Sequence, residues 1–150
     1  MSANSRFAVA VHVLTLLAWA DEEPLKSEYL ACSVNTNPVV IRRILCALSR
    51  AGLVTSQTGA AGGSRLARPA TEITLREVYR AVEPREIFSM HRQRPNQECP
   101  VGMNIEGVLE GLLSEVDAAV DGVLAEKTVA GLVEAVRPRR AAKARPRQRA

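Results

Sequence analysis

The segment "NPVVIRRILCALSRAG", from Asn37 to Gly52, constrains the fold more than any other part of the chain. Asn37 suits the N-cap of a helix, Pro38 suits its first position, and Gly52 is a stop signal. The preceding "PLKSEYLACSV" predicts a shorter helix with Ser27 as its N-cap, and "SVNT" is the turn between the two. Two helices joined by a turn of four residues indicate a helix-turn-helix.

Each of these two helices is predicted to bury one face. The second helix places four apolar residues together: Ile41, Ile44, Leu45 and Leu48. Its opposite side then carries Val39, Arg43, Cys46 and Arg50, with Arg42 on the flank. The shorter helix is expected to point three side chains toward the core: Tyr29, Leu30 and Ala31.

A hairpin is predicted directly after the second helix. The runs Leu53 to Gln57 and Ser64 to Ala67 favour β-strands, and the tip between them is rich in glycine. Gly59, Gly62 and Gly63 can adopt the positive φ angles of a tight turn. An apolar helix from Ser5 precedes this unit, and "ITLREVYRAVE" predicts a short amphipathic helix after it, capped by Thr74 or Thr71. The fold class is therefore mainly α with a small β-hairpin wing: a winged helix-turn-helix.

The C-terminal part of the chain predicts a long helix with an apolar stripe. The stripe consists of Ile105, Val108, Leu109, Leu112, Leu113, Val116 and Val120, and continues to Val123 and Leu124. A small winged domain cannot cover such a stripe, so we expect it to pack against a second copy. The chain divides into a winged domain over residues 1–85, a loop over 86–104, a dimerisation helix region over 105–136 and a disordered basic tail over 137–150.

The charge is distributed unevenly. The tail from Arg137 holds seven of the 20 basic residues and none of the 16 acidic ones, so the net charge of +4 divides into +7 for the tail and −3 for the rest. Such a tail serves either to solubilise the protein or to bind phosphates without sequence preference. No run is long enough for a membrane span, and three cysteines without a disulfide pattern favour a reducing compartment. We expect a cytoplasmic protein.

Over residues 5–128 the sequence resembles the Rrf-two (Rrf2) family of winged-helix transcriptional regulators. The resemblance rests on "SRFAVAVHVLTLLA", on "LSRAGLVTSQTGAAGGSRLARP" and on "ITLREVYRAVE". It implies a homodimer that binds imperfect palindromes in double-stranded DNA. It also implies a sensor-type loop over residues 86–104, because many members sense iron, nitric oxide or redox state through cysteines.

Helix geometry selects the residues that would read DNA. Only the first turns of a recognition helix normally reach base edges, which makes Arg42 and Arg43 candidates for guanine and Val39 and Val40 candidates for thymine methyl groups. The family's base-reading positions match Asn37, Val39, Arg42 and Arg43. The alternative for the two arginines is a solvated helix face.

Other polar residues are candidates for contacts with the DNA backbone. Ser27, Thr36 and Asn37 can donate to phosphates, although capping alone would explain them. Thr58 stands where several family members carry an arginine that enters the minor groove. Arg65 and Arg68 are expected to be available for phosphates.

Cys99 is the only cysteine in the window from Ile87 to Ile105, where cluster-binding members of the family carry three. A single thiolate cannot hold an iron–sulfur cluster, so we expect no cofactor and no metal. Three interpretations of Cys99 remain: a small buried residue, a redox-sensing thiol, or an enzymatic nucleophile with His91 as its base.

These patterns predict a dimeric transcriptional regulator, a repressor without enzyme activity, in which Cys99 is either a structural residue or a redox sensor. The alternative is a scaffold that uses the winged-helix fold to dock proteins and does not bind DNA.

Overall fold

The computed structural model describes residues 3–83 and 86–143. The helices are α1 (Ala3–Trp19), α2 (Ser27–Val34), α3 (Pro38–Arg50), α4 (Leu75–Val82), α5 (Pro100–Ala125) and α6 (Val129–Lys143). Strands β1 (Val54–Gln57) and β2 (Gly63–Leu66) follow α3, and a short 3-10 helix, Ala70–Glu72, precedes α4. This order confirms the winged helix-turn-helix with a long C-terminal helix.

The ends of the two central helices follow from local sequence. The Asn37 Oδ1 accepts a hydrogen bond from the Val39 backbone N–H at 2.8 Å, and Pro38 begins α3. Gly52 follows α3 with φ 74°, and Asn35 ends α2 in the left-handed conformation with φ 60°. The prediction that Ser27 caps α2 is wrong, because Lys26 occupies the N-cap position and Ser27 is the first residue of the helix.

The core lies between α1, α3 and α4. All four predicted apolar residues of α3 are buried: Ile41, Ile44, Leu45 and Leu48. They pack with Leu14 and Leu17 of α1 and with Val78 of α4 in a single cluster. The prediction that Tyr29 points inward is wrong, since the side chain is 58% exposed. Leu30 and Ala31 already fill the inner face of α2, and Tyr29 lies about 100° away from Leu30 around the helix.

The wing is an antiparallel hairpin in which Val54 pairs with Leu66 and Gln57 with Gly63. Backbone hydrogen bonds between Leu25 and Ser64, at 2.8 and 2.9 Å, fasten it to the segment before α2. A Cβ on Gly63 would lie 2.8 Å from the Leu25 carbonyl oxygen, so this close approach requires glycine.

The three glycines of the wing tip do not share one role. Gly59 and Gly63 have positive φ angles, as predicted, whereas Gly62 does not. Gly62 is required for another reason, because a Cβ there would collide with the backbone carbonyl of Gln57.

The C-terminal region differs from the prediction at three places. The long helix begins at Pro100, so the preceding loop is shorter than residues 86–104. It ends at Ala125, and a new helix starts at Val129, where the Thr128 hydroxyl accepts a hydrogen bond from the Gly131 N–H at 3.1 Å. The last helix extends to Lys143, so residue 137, where the prediction placed the start of a disordered basic tail, lies inside α6. Residues 144–150 of the predicted tail lie outside the described residues.

Helix α6 belongs to the winged domain. Its side chains Val129 and Val133 are buried, and the helix packs against α1 of the same chain. The predicted dimerisation region, residues 105–136, therefore covers two elements with different surroundings. Three of its four exposed large apolar side chains lie on α5, namely Val108, Leu112 and Val123, and one, Val136, lies on α6. Among the described residues, no helix is long and apolar enough to cross a membrane.

Candidate nucleic-acid interface

Helix α3 presents the face that its periodicity predicts. Val39 is 47% exposed, and Arg43, Cys46 and Arg50 are exposed on the side opposite the buried residues. Val40 is half-buried. Because the apolar side is fully used by the core, the polar side of α3 is free to contact another molecule.

A groove of about 400 Å³ lies between α3 and the wing. The α3 side chains that line it are Arg42, Leu45, Cys46, Ser49 and Arg50. The wing contributes Ser56, Gln57, Gly63 and Ser64, and Leu25 and Ser27 close one end. The fold thus brings Ser27 and Arg42, which are distant in sequence, to one polar surface.

Arg42 is held by a residue that we did not predict to take part. Its Nη2 donates to the Glu28 Oε1 of α2 at 2.9 Å, and both side chains are exposed. The pKa of Glu28 is lowered by a hydrogen bond from its own backbone and by the Arg42 guanidinium. Arg43 has no hydrogen-bond or ion-pair partner within residues 3–83 and 86–143. Before any ligand binds, Arg42 is therefore held in an ion pair, whereas Arg43 has no such partner within the described residues.

The residues at the helix-turn-helix junction have structural roles. The Asn37 side chain caps α3, and the Thr36 backbone N–H donates to the Ala31 carbonyl at 3.0 Å. Those groups stabilise the turn between α2 and α3. Their candidate role at phosphates stays a prediction.

The wing residues separate into two groups. Thr58 lies exposed at the tip, while Arg65 lines a different pocket together with Asp21 and Glu22. Arg65 pairs with Thr55 across the hairpin, on the opposite side from Ser56 and Ser64. The wing therefore does not bring Arg65 into the groove beside α3.

We predicted that Arg68 would be available for phosphates, but the structure pairs its side chain with a carboxylate. Its two Nη atoms donate to the Glu77 carboxylate at 2.9 and 3.0 Å, and Nη2 also donates to the Glu72 carbonyl. Glu77 in turn completes a capping box with Thr74 at the start of α4. The Arg68 guanidinium is the main reason why the pKa of Glu77 is lowered. This bidentate pair joins the base of the wing to α4.

Cys99 occupies the N-cap position of α5 and is exposed. The interpretation of Cys99 as a small buried residue is therefore wrong. The neighbouring backbone N–H groups of Gly102 and Val101 at the start of the helix lower the pKa of its thiol. A larger thiolate fraction makes a cysteine more reactive toward oxidants.

Glu77 and Glu28 are the residues that the sequence interpretation missed at this interface. Glu77 had a visible signal, because "TLRE" matches the spacing of a capping box from Thr74. Glu28 had none, since its partner Arg42 lies 14 residues away on another helix.

Comparison with known proteins identifies the family. Residues 3–135 match the sequence model of Rrf2, described as an iron-dependent transcriptional regulator. The chain belongs to the Rrf2 family. YwnA of Bacillus subtilis, named as an HTH-type transcriptional regulator, is 44% identical over 127 residues, which are 84% of this chain and 92% of YwnA. The protein is accordingly a DNA-binding transcriptional regulator of the helix-turn-helix type.

Solved structures show the same fold. A crystal structure described as that of a DNA-binding protein has 38% identity and a TM-score of 0.68, and covers 85% of this chain and 97% of its own. IscR from T. potens has 22% identity and a TM-score of 0.67, and covers 99% of this chain and 92% of its own. At that identity, the likeness to IscR concerns the fold alone.

The name of the Rrf2 family raises the question of an iron centre. An iron–sulfur cluster needs several thiolates or imidazoles that converge on one site. Among the described residues, no three side chains of His, Cys, Asp or Glu come together in that way. Cys32 in α2 and Cys46 in α3 belong to the helix-turn-helix, and Cys99 begins α5. Within the described residues, the three cysteines lie at separate helices and do not form a set of donors that fits an iron–sulfur cluster.

Proposed function

We propose that this Rrf2 protein is a cytoplasmic homodimeric repressor without enzyme activity or a metal cofactor, which binds an imperfect palindrome through α3. The carrying observation is the polar face of α3, on which Arg43 has no partner among the described residues and Arg42 is held beside a groove that continues onto the wing. Such a face suits the edges of base pairs in the major groove, where arginine recognises guanine. The apolar face of α5 supports the homodimer.

The proposal is tested by a gel shift of the full chain with fragments of its own upstream region. We expect one fragment to bind at least about a thousandfold more tightly than random DNA, as specific regulators do. Footprinting of that fragment should show two related half-sites. The scaffold alternative predicts no excess over random DNA, and such a result would reject the DNA-reading role.

The signal that releases the DNA is proposed to be oxidation of Cys99. The thiolate sulfur attacks one oxygen of a peroxide, the O–O bond breaks, and the leaving hydroxide takes up a proton to become water. The product is a sulfenic acid at the first turn of α5. The exposed thiol with its lowered pKa supports this step. A change at the start of the dimerisation helix would then displace the two recognition helices from their half-sites.

Mild peroxide should weaken specific DNA binding of the parent protein by about 5- to 150-fold, the usual range of a coupling between two sites. A thiol reductant should restore it. Cys99→Ser should bind DNA like the parent and keep that affinity in peroxide. Cys46→Ser is the matched control, because Cys46 is also exposed but lies on the DNA-reading face. Release that persists in Cys99→Ser and disappears in Cys46→Ser would place the sensor on α3 instead.

A further inference from the structure

One acidic residue on α5 meets two arginines of α4. The Arg80 Nη2 lies 2.9 Å from the Asp121 Oδ1, and the Arg76 Nη1 lies 3.6 Å from the Asp121 Oδ2. Arg76 and Arg80 are four residues apart, so both project from the same face of α4. The Asp121 side chain is 32% exposed. It joins α5 to α4 through Arg80, which lies 41 residues earlier in the sequence.

Helix α4 is itself fixed to the DNA-reading part of the protein. Its side chains Val78 and Val82 are buried in the common core, and Arg68 ties its first turn to the wing through Glu77. The first residue of α4 is also bound to the link between α5 and α6, because the Leu75 N–H donates to the Lys127 carbonyl at 2.9 Å. Any group that holds α5 against α4 therefore holds α5 against the recognition helix.

Helix α5 has few other attachments. None of its 26 residues is buried in the described structure, and the contacts that Asp121 makes with α4 and Leu124 makes with the core lie in its C-terminal part. Asp121 and Leu124 are three residues apart and lie on neighbouring positions of one face. A helix of 26 residues is about 39 Å long. A small rotation at its attached end therefore produces a large displacement at the far end.

We propose that Asp121 is a positioning residue that fixes the direction of α5 relative to α3, and thereby the half-site spacing that the dimer accepts. This inference rests on the proposed homodimeric DNA reader. Successive base pairs are about 3.4 Å apart along the duplex, so a comparable displacement of one recognition helix shifts its half-site by one base pair. The bridge between Asp121 and the two arginines restricts that displacement.

The test compares the full-length protein with Asp121→Asn, which removes the charge and keeps the shape. Palindromes with identical half-sites and spacers altered by one base pair are measured by gel shift. The parent should lose at least about tenfold in affinity when the spacer changes, whereas Asp121→Asn should lose less than about threefold. Binding to a single half-site should be the same in both. Asp117→Asn is the matched control: it removes the same charge one turn earlier on α5, where no ion pair forms within the described residues.

A second measurement does not depend on DNA. With Cys32→Ser and Cys99→Ser, the exposed Cys46 of α3 carries a single spin label in each protomer. Pulsed electron paramagnetic resonance should give a narrow distance distribution for this background and for Asp117→Asn, and a broad one when Asp121→Asn is added. A narrow distribution and an unchanged spacer preference in Asp121→Asn would overturn the proposal, as would a monomeric Asp121→Asn protein, which would assign the residue to assembly.

Failure of the proposed function gives different results. A labelled parent without any distance between protomers would reject the homodimer itself. A parent with a defined distance but without binding to any palindrome would reject the DNA-reading proposal, while the width of the distribution would still decide the role of Asp121.

Discussion

Leu112→Asp should prevent the proposed homodimer from forming and give monomers or aggregates. The side chains of Val108 and Leu112 are 65% and 52% exposed on α5, although both are large and apolar. They belong to the predicted stripe, in which Ile105, Leu109, Leu113, Val116 and Val120 are only half-buried. A carboxylate placed in the middle of an apolar interface loses its hydration without gaining a partner, which costs several kcal/mol. We therefore expect the dimer dissociation constant to rise by a factor of about 100 or more.

Sedimentation velocity of Leu112→Asp and of the parent measures this effect. Ser114→Asp is the matched control, because it adds the same charge to the exposed opposite side of α5. That variant should remain dimeric and bind the palindrome. A parent protein that sediments as a monomer would show that the apolar face of α5 has another purpose, and the homodimer would have to be abandoned.

Arg43→Ala should lose about 1–3 kcal/mol of affinity for the specific site and little for random DNA, the result expected of a bidentate contact with guanine. Arg43 is exposed in the first half of α3 and has no partner in the described part of the chain, so its guanidinium needs no rearrangement to bind. Arg42 must instead keep or exchange its bond to Glu28. The loss should therefore be largest for Arg43.

Gel shifts with the operator and with random DNA distinguish the two kinds of contact. Arg50→Ala provides the comparison, since Arg50 is exposed on the same helix but at its last residue, where recognition helices contact the backbone. Its affinity should fall equally on both DNAs. An equal fall for Arg43→Ala would make Arg43 a phosphate contact and leave base reading to other residues.

Several helix ends that are set by residues close in sequence were predicted correctly. The N-cap Asn37, the first-position Pro38, the stop at Gly52 and the cap at Thr74 agree with the structure. The buried face of α3 was also predicted completely, because a helix of 13 residues with one apolar stripe can bury only that face. The start of α6 was missed, although Thr128 before an apolar run is a capping signal of the same kind.

The surroundings of individual surface side chains were predicted less well. Arg68 was assigned to phosphates, but it binds Glu77. Cys99 was considered as a buried residue, but it is exposed at the end of a helix. An arginine or a cysteine at the surface has the same local sequence whether or not a partner approaches it from another element.

The sequence by itself determined the winged helix-turn-helix and the exposed polar face of α3, because caps, turn glycines and helical periodicity act between residues at most a few positions apart. The expectation that a single loop cysteine cannot supply a cluster also comes from the sequence and stays a prediction. Only the tertiary structure decided which charged residues form ion pairs. It pairs Arg42 with Glu28, Arg68 with Glu77 and Arg80 with Asp121. The first and last of these pairs join residues 14 and 41 positions apart, and their distances depend on how the helices pack around the core.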